Sequence, residues 1–235
     1  MTLLSEIDRT ITATPSLWWL GQAGFVIRFA SITFYIDPCF TELPLSPAEV
    51  NHADMILATS ARRVDASIAT MLDSSKRAKL ILPKSAADAA QAAGIPYHRM
   101  TTTDAGLRIE YFKDNLYSRV YSAPSSLSWT PAGGYPSLGY LIRFGRWTIY
   151  HAGSCAPYEG LADRLRPFNV SVALLPLGDA NFSPAAAAKL ASDIGATWLV
   201  PYPAHPSFLE HMLGHHPGQR FKVFHPGEGW TVPED

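Results

Sequence analysis

Residues Ala53–Asp65 read A-D-M-I-L-A-T-S-A-R-R-V-D, and the fold turns on this stretch. Met55–Ala58 is a short apolar run behind an aspartate, the pattern of a buried strand. From Thr59 the chain turns polar. A helical pattern opens at Asp65, a residue type suited to an N-cap, with Ile68, Met71 and Leu72 at helical spacing. A strand that passes into a helix through a polar loop is the repeating unit of an α/β fold. Functional groups collect in the loops that leave the carboxyl ends of such strands, so the candidate site is placed between Thr59 and Asp65.

Outward from this unit, Trp18–Phe29 (W-W-L-G-Q-A-G-F-V-I-R-F) and Ile32–Pro38 (I-T-F-Y-I-D-P) are rich in aromatic and β-branched residues and are separated only by Ala30 and Ser31, a hairpin signal. The Gly21 and Gly24 pair within the first run marks a bulge or a close backbone approach. A short helix is expected over Leu3–Arg9. Past Asp65, Lys79–Leu82 reads as a second buried strand, and Ser85–Ala93 as an alanine-rich helix capped by Ser85 and stopped by Gly94. The β-α-β-α order implies parallel pairing. Leu107–Phe112 and Leu116–Ala123 form the next hairpin, across Asp114-Asn115, and Ser125–Ser137 is a Gly/Pro/Ser-rich loop. Leu138–Phe144 and Arg146–His151 pivot on Gly145, and a helix is expected over Tyr158–Leu165. Val172–Leu177 and Trp198–Pro201 are strands flanking a helix with Ser183 as N-cap and Pro184 at its first position. Phe208–Leu213 reads as a short helix and Phe221–Phe224 as the last strand. The order runs strands, then β-α-β-α, and then the same again. This predicts one domain over 1–235, with similar halves of about 1–130 and 131–235. Two such halves place two sheets face to face with helices outside, a four-layer αββα sandwich of the α/β class.

Composition narrows the function classes. The 235 residues are 47% hydrophobic and 17% charged, against about 25% charged in an ordinary globular domain. That thin charge layer hints at extra buried surface, such as a contact between copies in a homo-oligomer. Nineteen basic and 20 acidic residues leave a net charge of −1 and no basic run, which argues against a nucleic-acid partner. Two cysteines, Cys39 and Cys155, cannot build a disulfide framework. Met1–Thr10 has no apolar core of a signal peptide, and no apolar run reaches the ~18 residues needed to span a bilayer. A cytoplasmic protein without membrane association is expected.

Several segments carry a resemblance: Trp19-Leu20-Gly21-Gln22-Ala23-Gly24-Phe25, Ile36-Asp37-Pro38, Leu138-Gly139-Tyr140-Leu141-Ile142, Ile149-Tyr150-His151-Ala152-Gly153, Ala173–Gly178, Val200-Pro201 and Pro226-Gly227-Glu228. In order and spacing, from about Trp18 to Glu228, they resemble the metallo-β-lactamase superfamily, and within it the branch of L-ascorbate-6-phosphate lactonase. The resemblance implies the same αββα sandwich and a hydrolase ancestry. In that superfamily the strand corresponding to Met55–Ala58 ends in Thr-His-x-His-x-Asp-His, whose side chains hold one or two metal ions. Here those ligand positions are Ser60, Arg62, Val64 and Asp65. The bridging Asp that follows Y-H-A-G in the family is Ser154, beside Cys155. The histidine after the strand Leu116–Ala123 is replaced by Pro124-Ser125-Ser126, and the last histidine by Pro203, with His205 the nearest imidazole.

The consequence is chemical. A zinc site needs about four thiolate, imidazole or carboxylate ligands, and Arg62 adds a fixed positive charge where a dication would sit. Without an ion there is no bound hydroxide of lowered pKa, so the family's hydrolysis loses its nucleophile. The reading is a degenerate hydrolase relative with no cofactor, whose old pocket binds a small anionic molecule or a protein partner. Its lining would be Ser60, Arg62, Asp65, Ser125, Ser126, Ser154 and Pro203. The alternative is a working lactonase or phosphodiesterase with a rebuilt zinc or manganese site.

Individual residues carry competing readings. Asp65 is a surviving ligand or a helix N-cap, and the cap is favoured. Arg62 and Arg63 are an anion clamp or two solvent-facing side chains. Cys155, His151 and His205 are weak catalytic candidates, a thiol nucleophile with an imidazole base, against a buried thiol and a hydrogen-bonded structural histidine. His211 and His215, with His205 and His216 nearby, are a possible metal group or surface histidines. Asp37 is read as a turn carboxylate that once supported the metal shell.

Overall fold

The computed structural model describes residues 2–131, 133–178, 180–203, 210, 212, 214 and 218–234. After α1 (Leu3–Arg9), strands β1 (Ser16–Gly21), β2 (Gly24–Phe29) and β3 (Ile32–Ile36) form an antiparallel meander. The first long apolar run is thus two strands. It is folded back at Gly21 and Gln22, both at positive φ (96° and 46°), with a register shift between Trp19 and Gly21. Next come β4 (Met55–Leu57), α2 (Ala66–Ser74), β5 (Lys79–Pro83), α3 (Ala87–Ala92) and β6 (Met100–Thr103), with β3 to β6 all parallel. The second half repeats the plan. β7 (Arg108–Lys113), β8 (Leu116–Pro124), β9 (Leu138–Phe144) and β10 (Trp147–His151) are antiparallel. α4 (Leu161–Leu165), β11 (Val172–Pro176), α5 (Pro184–Asp193), β12 (Trp198–Tyr202) and β13 (Arg220–Phe221) follow, with β10 to β13 parallel. The last strand, β14 (Gly229–Thr231), crosses back and pairs antiparallel with β1. The two seven-stranded sheets run β14-β1-β2-β3-β4-β5-β6 and β13-β12-β11-β10-β9-β8-β7.

Three apolar layers separate four layers of structure. Between the sheets, Phe25, Ile27, Phe34 and Leu57 face Tyr140, Ile142, Phe144, Leu174 and Val200, with Phe34 and Phe144 rings 5.5 Å apart. The alternate residues of the same strands point outward. Val26, Tyr35, Ile56 and Leu80 pack with Ile7, Ile68, Met71 and Leu72 from α1 and α2. On the far side, Leu141, Tyr150, Ala173 and Leu199 pack with Leu161 and Leu165 of α4 and with Ala187, Ala188 and Leu190 of α5. Strands covered on both faces have no solvent side, which is why they read as unbroken apolar runs. This is the expected four-layer αββα sandwich. No helix among the described residues is long and apolar enough to cross a membrane.

Several local expectations are corrected. The chain changes sheets between Thr103 and Arg108, so the second half begins there, ahead of the boundary near residue 130. β6 and β14 were not foreseen, and β14 displaces the Phe221–Phe224 run as the last strand. Ser85 does not cap a helix. Lys84–Ala86 is a 3-10 turn leading into α3, and the Ser85 hydroxyl donates to Tyr135 O at 2.9 Å. The helix expected from Tyr158 begins at Leu161. The helix expected over Phe208–Leu213 lies largely outside the described residues, as do His205, His211, His215 and His216.

One buried carboxylate ties the halves together. Asp54, 6% exposed, precedes β4 and accepts from Thr33 N at 2.8 Å in its own sheet. From the opposite sheet, Tyr111 Oη donates to it at 2.8 Å and Lys113 Nζ at 2.9 Å. Removing it takes the counter-charge from Lys113, which keeps its 2.7 Å bond to Ser31 O, and the acceptor from the Tyr111 phenol. Asp54→Ala is therefore expected to lower unfolding free energy by about 3 kcal/mol, read from urea denaturation at neutral pH. A loss below about 1 kcal/mol would mean that solvent already screens the Lys113 pair.

Candidate functional site

The loops that leave the carboxyl ends of β3, β4, β10, β11 and β12 gather at one end of the sandwich. They bring Asp37, Thr59–Asp65, Gly153-Ser154, Leu177 and Pro203 toward each other. At their base, Asp37 is fully buried at positive φ (43°). Its carboxylate accepts from Thr59 N at 2.8 Å and from the Thr59 hydroxyl at 2.6 Å. Burial pushes its pKa up to about 6, against the opposing pull of the Thr59 bonds and of Arg63.

Arg63, not Arg62, occupies the centre. Ala61–Arg63 forms a 3-10 turn after Ser60. It carries Arg63 inward, with Nε 3.7 Å from Asp37 Oδ2 and Nη1 donating to Gln22 Oε1 at 3.1 Å. Arg62 is exposed. Asp65 is the N-cap of α2, accepting from Ser67 N at 2.9 Å. Two small cavities flank the Arg63–Gln22 bridge and share both residues. One, of about 190 Å³, is bounded by Ser154, Asn181, Tyr202 and Pro203. The other, of about 180 Å³, is bounded by Asp37, Thr41, Arg62 and Asp65.

The expected ring of hydroxyls does not form. Ser154 and Pro203 line the first cavity, and Arg62 and Asp65 the second. Ser60 is buried in a bridge to Ser137 and lines neither. Ser125 is fully buried and donates to Ala152 O at 3.1 Å. Ser126 accepts from Ser128 N at 3.3 Å in its own loop. The Ser125 and Ser126 hydroxyls serve backbone groups where the loops leave the sheets, a demand that no spacing rule reveals.

The proposed nucleophile and base are engaged elsewhere. His151 is fully buried, with Nε2 2.8 Å from Ala23 O and Nδ1 accepting from Gly153 N at 3.2 Å. That network assigns the proton to Nε2. Burial, opposed by the Ala23 bond and aided by Arg63, lowers its pKa to about 4. It stacks on Tyr202 at 5.2 Å, whose hydroxyl donates to Gly153 O at 2.9 Å. With both nitrogens used, His151 has no lone pair left to act as a base. Cys155 is fully buried, its Sγ donates to Ala156 O at 3.3 Å, and burial pushes the thiol up to about 12. No useful thiolate forms at neutral pH. His205 lies outside the described residues.

Among the described residues, the positions that the resemblance marks as ion ligands do not offer the donor set of a zinc site. Of the positions that would hold them, Ser60 and Val64 offer no anionic or imidazole ligand, Arg62 carries a cation and Asp65 is spent on its helix. The nearest buried carboxylate, Asp37, has both oxygens bonded by Thr59 and faces the Arg63 guanidinium. No group of three or more His, Cys, Asp or Glu that could hold an ion occurs among the described residues.

Asp37 and His151 pull stability in opposite directions with pH. The native state keeps the Asp37 proton up to about pH 6, whereas the unfolded chain releases it near 3.8. That contribution is full below the lower value and lost as pH rises through the upper one. The native state refuses the His151 proton until about pH 4, whereas the unfolded chain takes it up near 6.5. That contribution is lost as pH falls through this window. Each is worth on the order of 3 kcal/mol, so between about pH 4 and 6 the two slopes offset. Asp37→Asn removes the first alone. The variant is expected to lose about 2 kcal/mol more than the parent between pH 6.5 and 4.5, read from urea denaturation at each pH. Parallel stability curves would refute the coupling.

Comparison with known proteins agrees with this architecture. A "UPF0173 metal-dependent hydrolase" of Myxococcus xanthus is 28% identical over 175 residues, covering 70% of this chain and 61% of that protein. A relative of the same name from Pyrobaculum islandicum is 25% identical over 172 residues, covering 68% of this chain and 70% of that protein. The chain thus spans about three fifths of the length of the first of these. Igni18, a metallo hydrolase of Ignicoccus hospitalis, superposes with a TM-score of 0.72 at 18% identity, covering 94% of this chain and all of that one. The metallo-β-lactamase fold protein YhfI of Bacillus subtilis superposes with a TM-score of 0.68 at 11% identity, covering 92% and 99%. No protein-family model matches the chain. Sheet order and solved neighbours agree on the fold: the chain has the metallo-β-lactamase fold, and its sequence is similar to proteins named metal-dependent hydrolases.

Proposed function

We propose that this chain has exchanged ion-dependent hydrolysis for recognition, and that its old active-site mouth binds a small anionic molecule on Arg63. The observation that carries this reading is the placement of Arg63. Its guanidinium stands between the two cavities, held by Asp37 and Gln22, and its Nη2 has no hydrogen-bond partner among the described residues. An arginine fixed in this way keeps its charge at any physiological pH and presents a planar donor edge suited to carboxylate or phosphate. The cavities favour a small ligand, since drug-sized molecules occupy about 300–1,000 Å³ and these measure about 190 and 180 Å³. Ser154 and Asn181 add polar groups on one side, and Arg62 adds a second cation on the other.

A second reading keeps the chain a hydrolase, a lactonase or phosphodiesterase with a rebuilt zinc or manganese site. It is favoured by the name "metal-dependent hydrolase" carried by the sequence relatives. A third assigns the mouth to a protein partner.

The discriminating experiment is calorimetric titration of small carboxylates and phosphate monoesters against the metal-analysed protein, with Arg63→Gln and Arg62→Gln beside it. A charge-assisted hydrogen bond contributes about 1.5–3 kcal/mol, so Arg63→Gln is expected to weaken binding by about 10–100-fold and Arg62→Gln by less. Stoichiometric zinc or manganese in the purified protein, together with turnover of a lactone or phosphodiester, would replace this proposal with the second reading.

A further inference from the structure

Among the described residues the two sheets end in four edge strands, and they are unequal. β13 has two residues, β14 three and β6 four, whereas β7, at the outer edge of the second sheet, has six and contains neither proline nor glycine. Short edges cannot template a neighbour, but a long regular one can. β7 also exposes apolar surface at both ends, with Leu107 53% and Phe112 66% exposed.

The direction of the free backbone groups follows from the hairpin. Lys113 pairs with Leu116 across Asp114-Asn115, both at positive φ, and Leu107 O accepts from Ser122 N at 3.0 Å. Odd-numbered residues therefore bond to β8, and the N–H and C=O groups of Arg108, Glu110 and Phe112 face outward from the sheet. Arg108 and Glu110 are about half exposed, and they form a 3.0 Å ion pair on the same face.

We propose that two copies of this chain associate through β7, antiparallel and edge to edge, in the register that sets Ile109 opposite the partner's Ile109. Charge selects that register. It is the alignment in which outward-facing residues meet with Arg108 against the partner's Glu110, twice by symmetry. Centring on Glu110 would oppose two carboxylates. Centring on Tyr111 would set each Glu110 against the partner's Phe112. The chosen register extends the second sheet through both copies and alternates four charges into one cluster. It also brings Leu107 across from the partner's Tyr111. A self-complementary patch of this kind is what a two-fold contact requires. The surface is independent of the mouth around Arg63.

Sedimentation velocity and light scattering test the proposal over about 1 µM to 1 mM protein, the affinity range of a contact below about 1,200 Å². A concentration-dependent dimer is expected. Arg108→Glu and Glu110→Arg singly should each weaken it at least 10-fold, and the two together should restore it. Both changes lie on exposed positions, and an unchanged circular dichroism melt of all three variants checks that the fold is intact. A monomer across the whole range overturns the proposal. So does a dimer indifferent to the single reversals, or one that the double reversal fails to restore.

Discussion

Thr59 is the contact on which the site end of the molecule depends. Its N–H and hydroxyl both donate to Asp37, and its carbonyl accepts from Leu138 N in the other sheet at 2.8 Å. One residue thus satisfies a fully buried carboxylate and joins the two sheets where the loops begin. Gly153 closes the contact from the far side. It has φ 65°, and a Cβ there would lie 2.9 Å from Thr59 Cβ. A side chain at 153 would force the two loop systems apart. Tyr140 Oη donating to Ala58 O at 2.8 Å ties the same join from β9.

The same frame accounts for the buried polar groups at this end of the sandwich. A buried carboxylate needs a counter-charge or hydrogen bonds. Asp37 obtains its hydrogen bonds from Thr59 and its nearest positive charge from Arg63. His151, fully buried, has turned both ring nitrogens to backbone groups and its face to Tyr202. The side chains at the mouth are therefore engaged in holding the loops closed. The Arg63 guanidinium among them keeps a positive charge at this end of the sandwich.

Much of the architecture was legible in the chain. Unbroken apolar runs such as Val172–Pro176 marked strands covered on both faces. Asp114-Asn115 marked a tight hairpin, Ser183-Pro184 a helix start, and the repeated order of elements the paired sheets. Asp65 is a helix cap, as local chemistry favoured. What escaped was short or depended on distant partners. β14 is three residues long and exists because β1 lies beside it. Ser85 gives its hydroxyl to Tyr135, fifty positions away, and not to its own helix.

The sequence by itself determined the layers and the order of most elements along each half. Periodicity and residue chemistry are local properties, readable without coordinates. Only the tertiary structure decided which arginine faces inward, which serines reach the mouth and which way the imidazole points. Arg62 and Arg63 are indistinguishable in one dimension. A single 3-10 turn sends one to solvent and the other to Asp37. That choice depends on groups brought together from both sheets, and no local pattern encodes it.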